Sequence, residues 1–396
     1  MKTLALAFTA LTTLSLTTRA EVWVVEQTPT AGADFAQIHE AVAAAADGDV
    51  ILVRTGTFYD GFTIDGKSLS VVALEGAHVP IRSDVVVRNL GAGQSATLHG
   101  LFVSAIAGAR ILTLEDNAGP VFIQDSVFRT NSIMAFGSGF GMQITDTASA
   151  TFVNSVVSIG YPWQGTQTQD GITVERSFVV FQGGSVDGGH GGLSGIDGGT
   201  GIRAIESELT LIDTVVSGGP GGTSFATPCD DGGDGGDGLV VEGGSLVRHL
   251  QTTFQGGTGG GGCTVGAPGS GKVVLDGSAA PFPGGVRRLT AGTPVQVGDE
   301  HTLEVAGPEG DWVFLFVGNA LGISPFFPEL QGALVPALPG VLLTSVGAIG
   351  PAGSLSITSA PGPIGLTEVE LAVQAIVFSP AQGLLLSNGR HVVIYP

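Results

Sequence analysis

The sequence predicts an all-β protein: a stacked solenoid of short strands, closed at one end by a single amphipathic helix and followed by a separate β-sandwich. Three observations predict it. One helical pattern stands at Asp34 to Gly48; short β-branched runs then recur at a nearly constant spacing; and after about Gly285 that recurrence gives way to alternating strands. With 396 residues the chain can hold two such units. Its 65 Gly stand beside 43% hydrophobic and only 13% charged residues, so it is too apolar to stay disordered, and glycine is expected to serve turns.

The elements follow in chain order. Residues 1–20 run from Lys2 through an apolar core, Leu4 to Leu16, to Thr18-Arg19-Ala20, the pattern of a secretory signal peptide cleaved before Glu21. In the segment from Asp34 to Gly48, Asp34 is expected to cap the helix with Gln37 at the capping-box position, and Gly48 to close it. Phe35, Ile38, Val42 and Ala45 fall on one face. Asp49-Val-Ile-Leu-Val-Arg54 then opens the β-rich part.

Gly141-Met-Gln-Ile, Gly171-Ile-Thr-Val and Gly201-Ile-Arg-Ala start 30 residues apart, and Gly238-Leu-Val-Val follows after 37. Each leads to a second strand: Thr151-Phe-Val-Asn-Ser-Val-Val-Ser-Ile-Gly160 resembles Thr210-Leu-Ile-Asp-Thr-Val-Val-Ser-Gly-Gly219, and Phe178 to Gly188 is a third copy. A unit this small cannot bury its apolar face alone, so copies must stack, and the exposed first rung needs a cap. The helix at Asp34 stands where that cap belongs.

Asp34-Phe-x-x-Ile-x-x-Ala-Val-x-x-Ala-x-x-Gly-Asp-x-Ile-x-Val-x-x-Gly-x-Phe resembles the opening of right-handed parallel β-helix proteins of the pectin-lyase-like superfamily. The resemblance covers about Glu21 to Gly277. It implies a right-handed parallel β-helix over residues 21–285, and leaves activity open among lyases, hydrolases, esterases, tailspikes and non-catalytic surface proteins. Residues 286–396 are expected to form the sandwich, with strands at His301 to Val305, Trp312 to Val317, Ser354 to Thr358, Glu368 to Phe378 and Leu384 to Tyr395. The apolar stretch Ala333 to Gly350 is interrupted by Pro336, Pro339 and Gly340 and is read as buried strands and loops, not a membrane span.

A formal charge of −20 argues against nucleic acid, anionic membranes and polyanionic substrates unless a cation intervenes. No complete catalytic set stands out. Gly-Thr-Ser224-Phe-Ala-Thr-Pro resembles the nucleophile segment of subtilisin-like proteases, with His190 as base, but that family's Asp-Ser/Thr-Gly motif is absent and glycines surround a serine that should begin a helix. Gly189-His190-Gly191 resembles one polygalacturonase motif, with Asp230-Asp231 as the acid pair; the pair follows the histidine instead of preceding it, and the family's Asn-Thr-Asp and Arg-Ile-Lys are missing.

A polysaccharide lyase needs a cationic base beside a neutralised uronate carboxylate. Beyond the signal segment the chain has only Lys67 and Lys272, with Arg110, Arg129, Arg176, Arg203 and Arg248 scattered along the repeats. An arginine or lysine converging with two carboxylates in a groove would favour an enzyme, and isolated charges a scaffold.

Gly232-Gly-Asp234-Gly-Gly-Asp237-Gly-Leu-Val fits the nonapeptide that binds calcium in parallel β-rolls, with Asp230 and Asp231 as supplementary ligands; the alternative is a flexible acidic turn. Cys229 and Cys263 lie in glycine-rich loops of successive rungs, which stacking brings together, so a disulfide between them is expected. Tyr161-Pro-Trp163-Gln-Gly-Thr-Gln-Thr-Gln-Asp170 combines rings and amides suited to a sugar face and its hydroxyls, unless Trp163 simply covers the solenoid flank. The resulting expectation is an exported, non-catalytic surface or extracellular protein that binds a polysaccharide or cell-surface glycan. The alternative is a polysaccharide-acting lyase or hydrolase.

Overall fold

A computed structural model describes residues 20–28, 30, 32–105, 110–130, 141–160, 169–192, 195–224, 230–322, 326–327, 330–337, 341–359 and 369–395. Beyond the helix Ile38–Ala44, nearly all of its regular structure is β, and the larger part is a parallel β-helix of about eight turns. Three columns of strands run along it. The first holds Phe62–Asp65, Val85–Arg88, the opening parts of Leu112–Gln124 and Met142–Ser158, then Ile172–Glu175, Ile202–Ile205, Leu239–Glu242 and Lys272–Val274. The second runs from Val22–Val25 on Asp49–Val53 through to Ser245–Leu250 and Gly277–Pro281, and the third from Pro80–Ile81 to Thr253–Gln255.

The alternation seen in sequence fixes which side chains enter. Ile64, Val87, Leu114, Ile144, Val174, Ala204 and Val241 stand in one register column and are completely buried. Each large member stabilises its turn by about 1.5–3 kcal/mol through burial. The corners are equally regular. Between the first and second faces the chain turns through left-handed residues, Asn89, Asp116, Asp146, Arg176 and Glu206, at φ between 47° and 58°. Just beyond, hydroxyls form a ladder: Thr147, Ser177 and Ser207 each donate a backbone N–H to the hydroxyl of the next turn, Ser177, Ser207 and Ser245, at 3.0–3.1 Å. Those hydroxyls satisfy amides that the corner removes from the ladder.

The capping helix is shorter than expected. It begins after Gln37, and Asp34 does not cap it; its Oδ2 accepts the Val24 N–H at 2.8 Å, tying the approach to the first strand. Ile38, Ala41 and Val42 still cover the first turn of the core. Lys67 Nζ donates to the Val42 and Ala45 carbonyls at 2.6 and 2.9 Å, supplying the cation that a helix C-terminus favours.

The remaining strands make a sandwich. Arg288–Ala291, His301–Ala306 and Ser354–Ser359 form one sheet; Val295–Gln296, Gly383–Tyr395, Val369–Ser379, Trp312–Gly318 and Val341–Ala348 form the other. Leu289, Val305, Val313, Val377 and Leu385 fill the space between them. Strand Val341–Ala348 accounts for much of the apolar stretch, and among the described residues no helix is long and apolar enough to cross a membrane. The sandwich lies against the outer side of the second face, where Asp125 holds Arg390 at 2.6 Å and the Gln182 and Gln124 side-chain oxygens accept the Gly389 and His391 N–H groups at 3.0 Å.

Candidate functional site

The third corner, where each turn leaves the third face and enters the first, carries the glycine. Outgoing segments 188–192, 218–224 and 256–262 form one layer, and returning segments 195–201, 232–238 and 266–271 form a second. Their hydrogen bonds repeat every three residues. Gly218 and Gly221 donate to the Gln255 and Thr258 carbonyls of the next outgoing segment, while Gly219 and Gly222 donate across the layers to Gly199 and Ile196 at 2.7–2.8 Å. Returning Gly233 and Gly236 donate to Gly222 and Gly219 at 2.9 and 2.8 Å. A three-residue period without bonds inside a segment is the geometry of polyproline II, and Pro220 and Pro268 fit it without strain.

Such a lattice closes only with glycine. A Cβ on Gly198 would stand 1.8 Å from the Gly219 oxygen, and one on Gly236 2.0 Å from the Gly199 oxygen. The expectation that glycine serves turns is therefore corrected here: hydrogen atoms replace side chains so that backbones can touch.

The aspartates of the expected calcium motif belong to the same lattice. Asp234 Oδ1 accepts the Ala267 N–H and Asp237 Oδ1 the Ser270 N–H, both at 2.7 Å; Asp197 does the same for Asp234, and Asp170 for Thr200 at 3.1 Å. Each carboxylate satisfies an outward amide on the next returning segment. Asp230 and Asp231 are exposed near the tip, and among the described residues no group of three or more His, Cys, Asp or Glu side chains is placed to hold a metal ion. The nonapeptide match coincides with the three-residue repeat of the lattice, in which Asp234 and Asp237 serve backbone amides.

Cys263 donates its N–H to the Asp230 carbonyl at 3.0 Å, next to the position of its expected partner; Cys229 itself, like Tyr161 and Trp163, lies outside the described residues. Ser224 stands within an outgoing segment, its N–H donated to the Gly261 carbonyl; the residues after it, 225–229, lie outside the described residues. His190 is held below the usual histidine range by burial, against the opposing pull of Asp187; Asp187 is raised by the same burial.

On the outer side of the first face arginines do converge with carboxylates. Arg203 lies 2.6 Å from Asp170 and 3.2 Å from Glu242; Arg88 lies 3.0 Å from Asp65 and 3.7 Å from Glu115; Arg176 pairs with Asp146 at 2.7 Å and with its neighbour Glu175. Arg248 pairs with Glu208 on the second face. Burial opposes the charge of Arg203, yet its bonds and proximity to Asp170 and Glu242 outweigh it and raise the pKa; Arg176 is raised by Asp146, then Glu175. A base that must give up its proton needs the opposite shift. These arginines staple neighbouring turns.

An open cleft of about 530 Å³ near the capping helix is lined by His39, Asp60, Gly61, Phe62, Thr63 and Asp84, an acidic wall. Two features leave no local mark in the sequence. The Arg203 pairing depends on residues 33 and 39 positions away, and the lattice has no hydrophobic period to mark it.

No protein-family model matches the chain, and no curated protein matches it in sequence. Among solved structures it is similar to pectate lyase Pel9A, at 14% identity and TM-score 0.37 over 61% of this chain and 64% of that one. It is also similar to a superoxide reductase (neelaredoxin) from Ignicoccus hospitalis, at 15% identity and TM-score 0.18 over 28% of this chain and 80% of that one. At these TM-scores neither likeness transfers a site or a reaction.

Proposed function

We propose that this protein is an exported, non-catalytic β-helix scaffold that binds a polysaccharide or cell-surface glycan along the flank where the first face meets the glycine lattice. Arg203 does converge with two carboxylates, the arrangement that would favour an enzyme; what supports the non-catalytic reading is that the set is spent on structure, since Arg203 ties Asp170 to Glu242 across turns with its proton held more tightly, and Asp170 is also committed to the Thr200 amide. Arg176 and Arg88 are likewise paired with carboxylates of neighbouring turns, Asp146 for the first and Asp65 and Glu115 for the second. Glycan binding rests on the Tyr161–Trp163 sequence. That segment follows Gly160, bonded to Thr130, and precedes Gln169, whose carbonyl accepts the Gly189 N–H at 2.9 Å, so both its ends are tied to a rigid frame.

The test incubates the protein with acidic and neutral polysaccharides, following chain length and retention together. Retention of intact chains, released by Trp163→Ala, is the expected result. Chains shortened by the protein, with shortening abolished by Arg203→Ala or Arg176→Ala, would overturn it in favour of a polysaccharide-acting enzyme.

A further inference from the structure

We propose that the last turn of the glycine lattice is a docking site for an extended partner segment with glycine at every third residue. The lattice itself states the rule. An outgoing segment accepts, through its carbonyls, the N–H groups of every third residue of the previous outgoing segment: Gly188 and Gly191 give to Ser217 and Pro220, and Gly218 and Gly221 to Gln255 and Thr258. It also donates to the previous returning segment: Gly219 to Gly199, then Gly257 and Gly260 to Gly236 and Gly233, at 2.8 Å.

Register carries this rule one step on. Ser217 pairs with Gln255, so Gly256 and Gly259 stand where Gly218 and Gly221 stood, and Gly269 and Gly266 follow Gly236 and Gly233. Among the described residues the N–H groups of Gly256 and Gly259 and the carbonyls of Gly266 and Gly269 have no hydrogen-bond partner. Two donors and two acceptors are therefore presented at the spacing of a polyproline II strand, roughly 9 Å per three residues. The chain does not continue the lattice: after Gly277–Pro281 it passes to the sandwich.

The same geometry selects the occupant. A Cβ on Gly257 or Gly260 would stand 1.9 or 2.0 Å from the Gly219 or Gly222 oxygen of the preceding outgoing segment. A segment seated on 256–262 meets the same limit at the matching residue of each triplet, which must be glycine and whose N–H reaches Gly269 or Gly266. The other two residues face solvent or the side of the groove, and proline there pre-sets the backbone.

The probe is the single-stranded peptide acetyl-(Gly-Pro-Pro)4-amide, with acetyl-(Ala-Pro-Pro)4-amide as its control, added to the full chain. Residue-resolved amide exchange reads the site directly. The glycine peptide is expected to slow exchange at Gly256 and Gly259 about tenfold or more at saturation, the protection that roughly 1.4 kcal/mol of added local stability produces, while Gly218 and Gly221 stay unchanged. The alanine peptide is expected to do nothing. Equal effects of both peptides, protection elsewhere, or no protection at Gly256 and Gly259 at millimolar peptide would each overturn the proposal.

Discussion

Gly236→Ala tests the glycine lattice most directly. The new methyl carbon would stand 2.0 Å from the Gly199 oxygen and 2.5 Å from its carbonyl carbon, where ordinary contact begins at 3.4 Å. The two segments must separate by about 1.4 Å, which takes hydrogen bonds of normal length out of range. Two are at stake at this residue alone, Gly236 to Gly219 and Gly257 to Gly236, each 2.8 Å long. At about 1 kcal/mol per bond, with up to a further 1–3 kcal/mol where a buried amide is left unsatisfied, the lattice loses about 2–5 kcal/mol. The restriction that alanine places on the unfolded chain returns only about 0.4–1 kcal/mol. The solenoid core is a separate set of side chains, so the loss is local: amide exchange should accelerate at Gly218, Gly219 and Gly257 while Val174 and Val241 keep their protection. Gly93→Ala is the control, since nothing lies within 4 Å of its Cβ and its φ is not left-handed; it should be neutral or slightly stabilising. Unchanged exchange in the lattice of Gly236→Ala would refute the close-packed polyproline II reading.

Three further outcomes follow. Arg287 and Asp311, both almost wholly buried, pair at 2.5 Å in the sandwich, so Asp311→Ala should destabilise it by about 3–5 kcal/mol in denaturant titrations, because an uncompensated guanidinium remains. His99 donates from Nε2 to the Thr293 carbonyl, so its Nδ1 must accept from Gln124; burial first, then His391 and Arg390, push its pKa down from 6.5 to about 4 against the pull of Asp125. The unfolded chain takes up this proton first, so stability is complete above pH 6.5 and declines by up to about 3 kcal/mol as pH falls to 4, a slope that His99→Gln should flatten in melts at stepped pH. Asp234→Ala should cost about 1–2 kcal/mol and expose the Ala267 amide to exchange, while Asp234→Asn, which keeps an acceptor oxygen, should cost less; a chelator should reproduce neither effect if the carboxylate serves the backbone.

How much was legible follows from the range of the forces involved. The repeated starts at Gly141, Gly171 and Gly201 and their β-branched partners are local patterns, and stacking in register is the way such runs bury one face, so solenoid, cap and sandwich could all be read from the chain. Of the helix only its core was legible, because Asp34 found a better donor in Val24, a strand neighbour that no local motif reveals. The arginines were visible as residues and not as staples, since Asp170, Arg203 and Glu242 meet only through turn-to-turn stacking.

The glycine lattice marks the boundary between the two kinds of information. Its Gly-Gly-x spacing is plain in 188–192, 218–222 and 232–238, but a polyproline II segment has neither internal hydrogen bonds nor an apolar period, and in isolation glycine means a turn. Only when the β-helix holds successive segments side by side do their amides find carbonyls and their missing side chains become the condition for packing. The sequence by itself determined the repeating unit, its apolar face and the order of the two β architectures, because these depend on neighbours within a few residues. The tertiary structure decided what the glycines, aspartates and arginines do, because each acts on backbone or charge some thirty residues away, brought within reach by one turn of the solenoid.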